Sequence, residues 1–259
     1  ISNADLIVGT RSGPLQLLLY SVFHMGSPTN NISIESYEKI KSHPAVKWTI
    51  PISLGDSYRS RRVVATNNSF YKNYQFQGDK HLKLGQGTWS DNVFGVVLGS
   101  QVASSLNHKL NDSITLSHGI SNSSISDHNN TPFKVIGILK STGTPVDKSL
   151  YISLHGMEAI HVGWENGAPC FATLEQEKFK KENLNTDQIT AFILKTKSPI
   201  VLLGFQRYIS TYDKEALSAI IPAVTLTELW IFLDQLETAF LAISLFVIII
   251  GFLTILIAL

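Results

Sequence analysis

The last 22 residues, 238–259, carry no charged side chain and consist almost entirely of Ile, Leu, Phe, Val and Ala. A run of about 20 apolar residues is long enough to cross the hydrocarbon core of a bilayer as a helix. A core helix of a soluble protein normally keeps a polar face, and this segment has none. We therefore predict a transmembrane helix over residues 238–259. The alternative is a helix fully buried in the centre of a protein core.

The preceding 237 residues have the composition of a folded domain that faces water. The formal net charge is +1, from 21 basic and 20 acidic residues, so the cationic excess of a nucleic-acid-binding protein is missing. The first residues contain neither the charged region nor the long apolar region of a secretory signal. If the domain lies outside the cytoplasm, we expect an upstream membrane helix to carry it there, and we expect the protein to continue beyond Leu259.

The chain contains a single cysteine, Cys170. One cysteine excludes an intrachain disulfide and a zinc site built from cysteines. A small buried thiol is the simplest interpretation of Cys170. A catalytic thiol would need a histidine base, whose position the sequence alone does not give.

Strand and helix patterns are interspersed along the chain, which favours an α+β fold. Residues 94–99 (FGVVLG) predict a strand followed at once by a short helix, and residues 112–116 and 133–139 predict paired strands. Residues 15–23 fit either a short helix or a strand. We expect residues 1–83 and 186–237 to form a membrane-proximal subdomain, and residues 84–185 to form an inserted distal subdomain.

Histidines supply the only candidate metal ligands. His118, Asp127 and His128 bracket one polar loop. If they face each other across a hairpin, two imidazoles and a carboxylate could hold Zn²⁺. No metal-binding spacing such as HExxH is present, and solvated loop histidines are the alternative.

Known catalytic motifs are missing: the sequence contains no GxSxG elbow and no Walker A motif. We therefore predict that the chain is not an enzyme, with a membrane-tethered hydrolase as a minor alternative. The scattered aspartates, among them Asp147, are interpreted as turn residues or caps. The turn that contains Thr142, Gly143 and Thr144 is either a plain connection between strands or a surface loop that contacts a partner.

The amphipathic stretch 225–237 enters the apolar segment without an intervening proline or glycine. One continuous helix could therefore pass movement between the domain and the membrane. The simpler alternative is an anchor close to the membrane, with Trp230 and Phe232 near the boundary between water and lipid.

Several fragments, taken in order, resemble the large extracytoplasmic domain of MacB/FtsX-type ABC transporter permeases. That family reads G-x-W/F, vvLG-x-x-x-A, G-x-x-v-x-l, f-x-V-v-G-v-l and v-y-v-p-l along its sequence. The fragments here are residues 87–89 (GTW), 96–103 (VVLGSQVA), 112–116 (DSITL), 133–139 (FKVIGIL) and 150–154 (LYISL). Residues 219–230 (AIIPAVTLTELW) also resemble the approach to the second membrane helix of the family.

The resemblance implies a periplasmic domain of two subdomains, placed between the first two of four helices in a bacterial inner membrane, with residues 1–237 in the periplasm. It implies a permease dimer, and ATP bound by a separate cytoplasmic ATPase rather than by this chain. Movement driven by ATP would then serve export, lipoprotein release or regulation of a cell-wall hydrolase, with a periplasmic adaptor, carrier or hydrolase as partner. The rival function is a membrane-anchored sensor or metal-binding domain that uses the three candidate zinc ligands.

Overall fold

The computed structural model describes residues 2–118, 132–161 and 184–259. Its core is a mixed sheet in which nine strands follow the order β15-β1-β14-β3-β4-β12-β8-β11-β7, with β10 paired to β3 and β9 paired to β11. The strands are β1 Leu6–Thr10, β2 Ile32–Ser33, β3 Val46–Tyr58, β4 Arg61–Thr66, β5 Gln75–Phe76, β6 Lys80–His81, β7 Leu84–Gly87, β8 Gly95–Leu98, β9 Ser113–Ile114, β10 Ser117–His118, β11 Phe133–Leu139, β12 Leu150–Ser153, β13 Gln188–Ile189, β14 Ala191–Thr196 and β15 Leu217–Ile220.

Helices cover both faces of this sheet, so the predicted α+β fold is confirmed. The α-helices are α1 Pro14–Val22, α2 Ile34–Lys41, α3 Asn68–Asn73, α4 Ser100–Leu106, α5 Leu154–His161, α6 Leu202–Ser210 and α7 Pro222–Ala258. Two short 3₁₀ helices span Pro145–Lys148 and Pro199–Val201. Of residues 15–23, which the sequence left open, 15–22 are helical, and Pro14 occupies the first turn, where its missing N–H is not needed.

The long strand β3 joins the two halves of the sheet. Its first half, up to Ile52, pairs with β14, and its second half, from Ser53, pairs with β4. Pro51 lies beside the change of partner, where its missing N–H removes no bond from β4, and its carbonyl accepts a bond from the Thr66 hydroxyl at 2.7 Å. A register shift between Leu54 and Ser57 bends the strand further on.

Three apolar clusters fill the space between sheet and helices. One lies between α1 and the sheet, one packs α2 and α6 on the other face of β1 and β14, and one surrounds β8, β11 and α4. β1 is buried along its whole length because Leu6 and Val8 enter one cluster and Ile7 enters another. The predicted division at residues 84 and 186 stays a prediction: β4, from the first segment, pairs with β12, from the predicted insert.

The last helix, α7, is a single 37-residue helix, and an 18-residue window within it has a mean hydropathy of 3.0 with 0% of its residues buried. That length and composition suffice to cross a membrane. Because its surface is open, the alternative of a helix buried in the protein core is wrong. The predicted continuity of residues 225–237 with the apolar segment is confirmed.

Candidate functional site

The loop between β11 and β12 is held together by one carboxylate. Asp147 accepts bonds from the Thr142 backbone N–H at 2.9 Å, the Thr142 hydroxyl at 2.9 Å, the Gly143 N–H at 2.8 Å and the Ser141 hydroxyl at 3.1 Å. Thr142 and Asp147 are each only 6% exposed. The interpretation of Asp147 as a turn residue is therefore confirmed, and the loop has a fixed shape.

A cavity of about 800 Å³, here the loop cavity, lies between this loop and α4. Gly143 and Thr144 line it, facing Gln101 and Ser104 of α4, whereas Thr142 does not. Of the three residues predicted to contact a partner, two therefore open onto this space, and the contact itself stays a prediction. A volume of this size falls within the range of ligand sites.

A second cavity of about 340 Å³, here the arginine cavity, adjoins the first. Arg61 and Arg62 of β4 and Lys148 of the 3₁₀ turn line it, and the two cavities share Phe23, Met25, Pro145 and Lys148. Together they form one cleft. Sequence reasoning missed this cavity, and the adjacent arginines at positions 61 and 62 were the signal that could have indicated it.

His24 follows α1 and lines the arginine cavity. Its φ of 55° lies in the left-handed region, and its Nδ1 is 2.8 Å from the Ser149 hydroxyl. Burial, and secondarily the charge of Arg62, lower the pKa of His24 to about 4. The imidazole is therefore neutral at pH 7. Sequence reasoning missed this contact, because 125 residues separate the two partners.

The cleft is connected to α7 through α1. α1 packs against α7 and β15, and Leu226 of α7 packs on the same apolar cluster as Leu17 and Leu18. The C-terminal end of α1 leads directly into Phe23, which lines both cavities. α1 therefore contacts α7 and leads into the cleft.

The predicted zinc ligands are only partly described. The backbone of His118 pairs with Asp56 where β10 meets β3, and Asp127 and His128 lie outside the described residues, as does Cys170. Within residues 2–118, 132–161 and 184–259, no group of three His, Cys, Asp or Glu residues could hold a metal ion. The zinc site stays a prediction.

Comparison with known families identifies the fold. The family model of the MacB-like periplasmic core domain matches residues 2–202. This chain belongs to that family. Residues 2–202 are the periplasmic domain of an ABC transporter permease, and α7, which follows them, is long and apolar enough to cross a membrane. A comparison with curated proteins found no match.

Two solved structures resemble this MacB-like domain. The periplasmic region of MacB from Actinobacillus actinomycetemcomitans is 13% identical, with a TM-score of 0.51 over 88% of this chain and 94% of that one. The extracellular domain of the noncanonic ABC-type transporter YknZ from Gram-positive bacteria is 14% identical, with a TM-score of 0.45 over 84% of this chain and 100% of that one. At such low identity, the likeness to the MacB structure supports the fold alone.

Proposed function

We propose that this MacB-like domain transmits ATP-driven movement from a bacterial inner membrane to a periplasmic partner. A separate cytoplasmic ATPase would bind and hydrolyse ATP, and this chain would serve as the non-catalytic mechanical part. The partner would be a periplasmic adaptor, a lipoprotein carrier or a cell-wall hydrolase, in line with the three roles that the family resemblance implies.

The continuity of α7 carries the proposal. Residues 238–258 rise about 31 Å at 1.5 Å per residue, enough to cross the hydrocarbon core of a bilayer. Residues 222–237 add about 24 Å and reach the sheet. Glu228, Asp234 and Glu237 favour a position of this upper stretch in water, outside the bilayer. Because no proline or other break interrupts α7 after its first turn, we expect a shift within the membrane to be passed along it to α1 and the cleft.

Exposed apolar side chains on the upper stretch of α7 support a permease dimer. Large apolar side chains above the span stay 39–68% exposed although charged residues flank them. They are Trp230, Ile231, Phe232, Leu233 and Leu236. Large apolar side chains that stay exposed in water are typical of a protein contact, and a second copy of α7 would cover those on one side of the helix.

Affinity purification of the full-length protein from native membranes in mild detergent tests the assignment. We expect a cytoplasmic ABC ATPase in equal amounts with the permease, together with a periplasmic protein that identifies the role. An intact permease dimer that co-purifies with no ATPase would contradict the proposal.

A label in the cleft tests the mechanical step. A bimane fluorophore on Gln101→Cys, with Cys170→Ser removing the native thiol, should change its emission when ATP is added to the assembled transporter. Gln235→Pro would interrupt α7 above the membrane and abolish this change, whereas the control Gln235→Ala would preserve it. An equal response in the proline variant would show that movement reaches the cleft by another route.

A further inference from the structure

The arginine cavity concentrates positive charge that the fold leaves unpaired. Arg61, Arg62 and Lys148 give its wall a formal charge of +3, and none of the described residues that line it is acidic. None of these three cations forms an ion pair within the described residues. Clustered like charges repel one another, so an arrangement of this kind is favourable only when an anion occupies it.

The guanidinium groups sit on a rigid element. β3 and β4 are joined by the two-residue turn Arg59-Ser60, in which both residues have positive φ, 46° and 63°. Arg62 donates a hydrogen bond to the Gly26 carbonyl, which fixes its side chain across the cavity. Burial lowers the pKa of Arg62, which reflects partial removal of water from its guanidinium. A guanidinium group that is held in place in this way can donate two parallel hydrogen bonds to a carboxylate or a phosphate.

Some of the other residues that line this cavity are apolar. Phe23 and Pro145 line the cavity, and Met25 stands beside them with 61% of its surface exposed. The same three residues also line the loop cavity. A ligand with an anionic head could therefore extend an apolar body along them. A mixed wall of this kind is typical of small-molecule sites, where a few charged groups orient a mainly apolar ligand.

We propose that the arginine cavity binds a small amphipathic anion. A phosphate monoester or a carboxylate would contact Arg61, Arg62 and Lys148, and the apolar body would lie against the wall formed by Phe23, Met25 and Pro145. The site goes beyond the mechanical role, and its test measures binding directly, without the ATPase or a protein partner.

Calorimetric titration of the full chain in zwitterionic lipid nanodiscs tests the proposal. The probes are hexyl phosphate and hexanoate, with hexanol as the uncharged analogue and inorganic phosphate as the anion without an apolar body. We expect one or both amphipathic anions to bind at least about tenfold more tightly than either control probe, because the charge-assisted contacts and the apolar wall both contribute. The preferred anion identifies the head group.

Matched variants locate the binding. Arg61→Gln and Lys148→Gln should each weaken binding about tenfold or more. Arg59→Gln removes the same charge from the same hairpin and should change binding by less than about twofold, because its guanidinium lies over the Tyr58 ring, 5.4 Å from the centroid, outside the cavity. Lys148 is exposed, so its substitution leaves the fold intact.

Three outcomes would overturn the proposal. They are an equal loss of affinity in all three variants, equal binding of hexanol or inorganic phosphate, and no binding of either amphipathic anion at millimolar concentration.

Discussion

The two charged regions of the cleft differ in how the fold treats them. Asp147 is buried, and four donors from Ser141, Thr142 and Gly143 surround its carboxylate. Arg61 and Lys148 lie a short distance away and have no carboxylate partner among the described residues. A buried charge that is fully bonded inside the protein shapes its loop, whereas a charge left without a counter-ion is available to a ligand.

The largest expected change in unfolding free energy is at Asp147, whose carboxylate has its hydrogen-bond partners within the protein. Asp147→Ala leaves the backbone N–H and the hydroxyl of Thr142 without their acceptor in a buried site, which we expect to cost about 4 kcal/mol of unfolding free energy. Thermal unfolding of the full chain in detergent, followed by tryptophan fluorescence, measures this. Asp147→Asn keeps one acceptor oxygen and should cost about half as much. A loss below about 1 kcal/mol in the alanine variant would show that the carboxylate does not determine the loop shape.

The next largest expected effect is a dependence of the unfolding free energy on pH, which His24 causes. Its pKa is about 4 in the folded protein and 6.5 as the ordinary value, so the unfolded chain binds the proton more tightly. The stability from a neutral His24 is therefore complete above pH 6.5 and is lost as the pH falls through 4. The full loss approaches about 3 kcal/mol.

Unfolding measured between pH 4 and pH 7.5 for the wild type and His24→Gln tests this. Glutamine can retain a hydrogen bond to Ser149 but does not titrate. The difference between the two proteins should therefore grow above pH 4 and level off near pH 6.5. Parallel curves across the whole range would show that His24 is protonated as easily in the fold as in the unfolded chain.

The wall of the loop cavity is also fixed by close backbone packing. A Cβ added at Gly99 would lie 2.5 Å from the Asp147 carbonyl oxygen and would also meet the Val146 carbonyl. We expect Gly99→Ala to cost about 2 kcal/mol by pushing the 3₁₀ turn away from α4. As control, Gly204→Ala within α6 meets no atom within 4 Å and should stabilise the protein by up to about 1 kcal/mol. Equal changes in the unfolding free energy of the two variants would mean that the 3₁₀ turn can move freely away from α4.

Local patterns in the sequence were sufficient for many elements. The step from strand to helix at residues 95–106, the pairing of β9 with β11, and the long apolar helix all follow from short-range periodicity. The N-cap at Ser33 was also predictable, and its hydroxyl accepts the Ser36 N–H at 3.3 Å. These features depend on neighbours within a few residues along the chain.

The arginine cavity could not be predicted in the same way, because three distant segments build it. Phe23, Arg62 and Lys148 come from the end of α1, from β4 and from the turn before β12. They meet only because β4 pairs with β12 in parallel and α1 crosses the sheet. The pairing of one strand, β3, with different partners along its length is likewise a tertiary effect that no local pattern encodes.

The smallest expected effect closes the comparison between the two charged regions. Arg61→Gln should change the unfolding free energy by less than about 0.5 kcal/mol, because the guanidinium has no ion-pair partner to lose and its removal relieves repulsion from Arg62 and Lys148. The same melting experiment used for Asp147→Ala measures both variants side by side. A loss above about 1.5 kcal/mol would assign Arg61 a structural role and remove the distinction between it and Asp147.

The anion should stabilise only the protein that binds it. With hexyl phosphate at 100 times its Kd, the unfolding free energy of the wild type should rise by about 2.7 kcal/mol, and that of Arg61→Gln should rise much less at the same concentration. A charge that adds nothing to the empty fold but is required for stabilisation by the anion is a ligand contact rather than part of the framework.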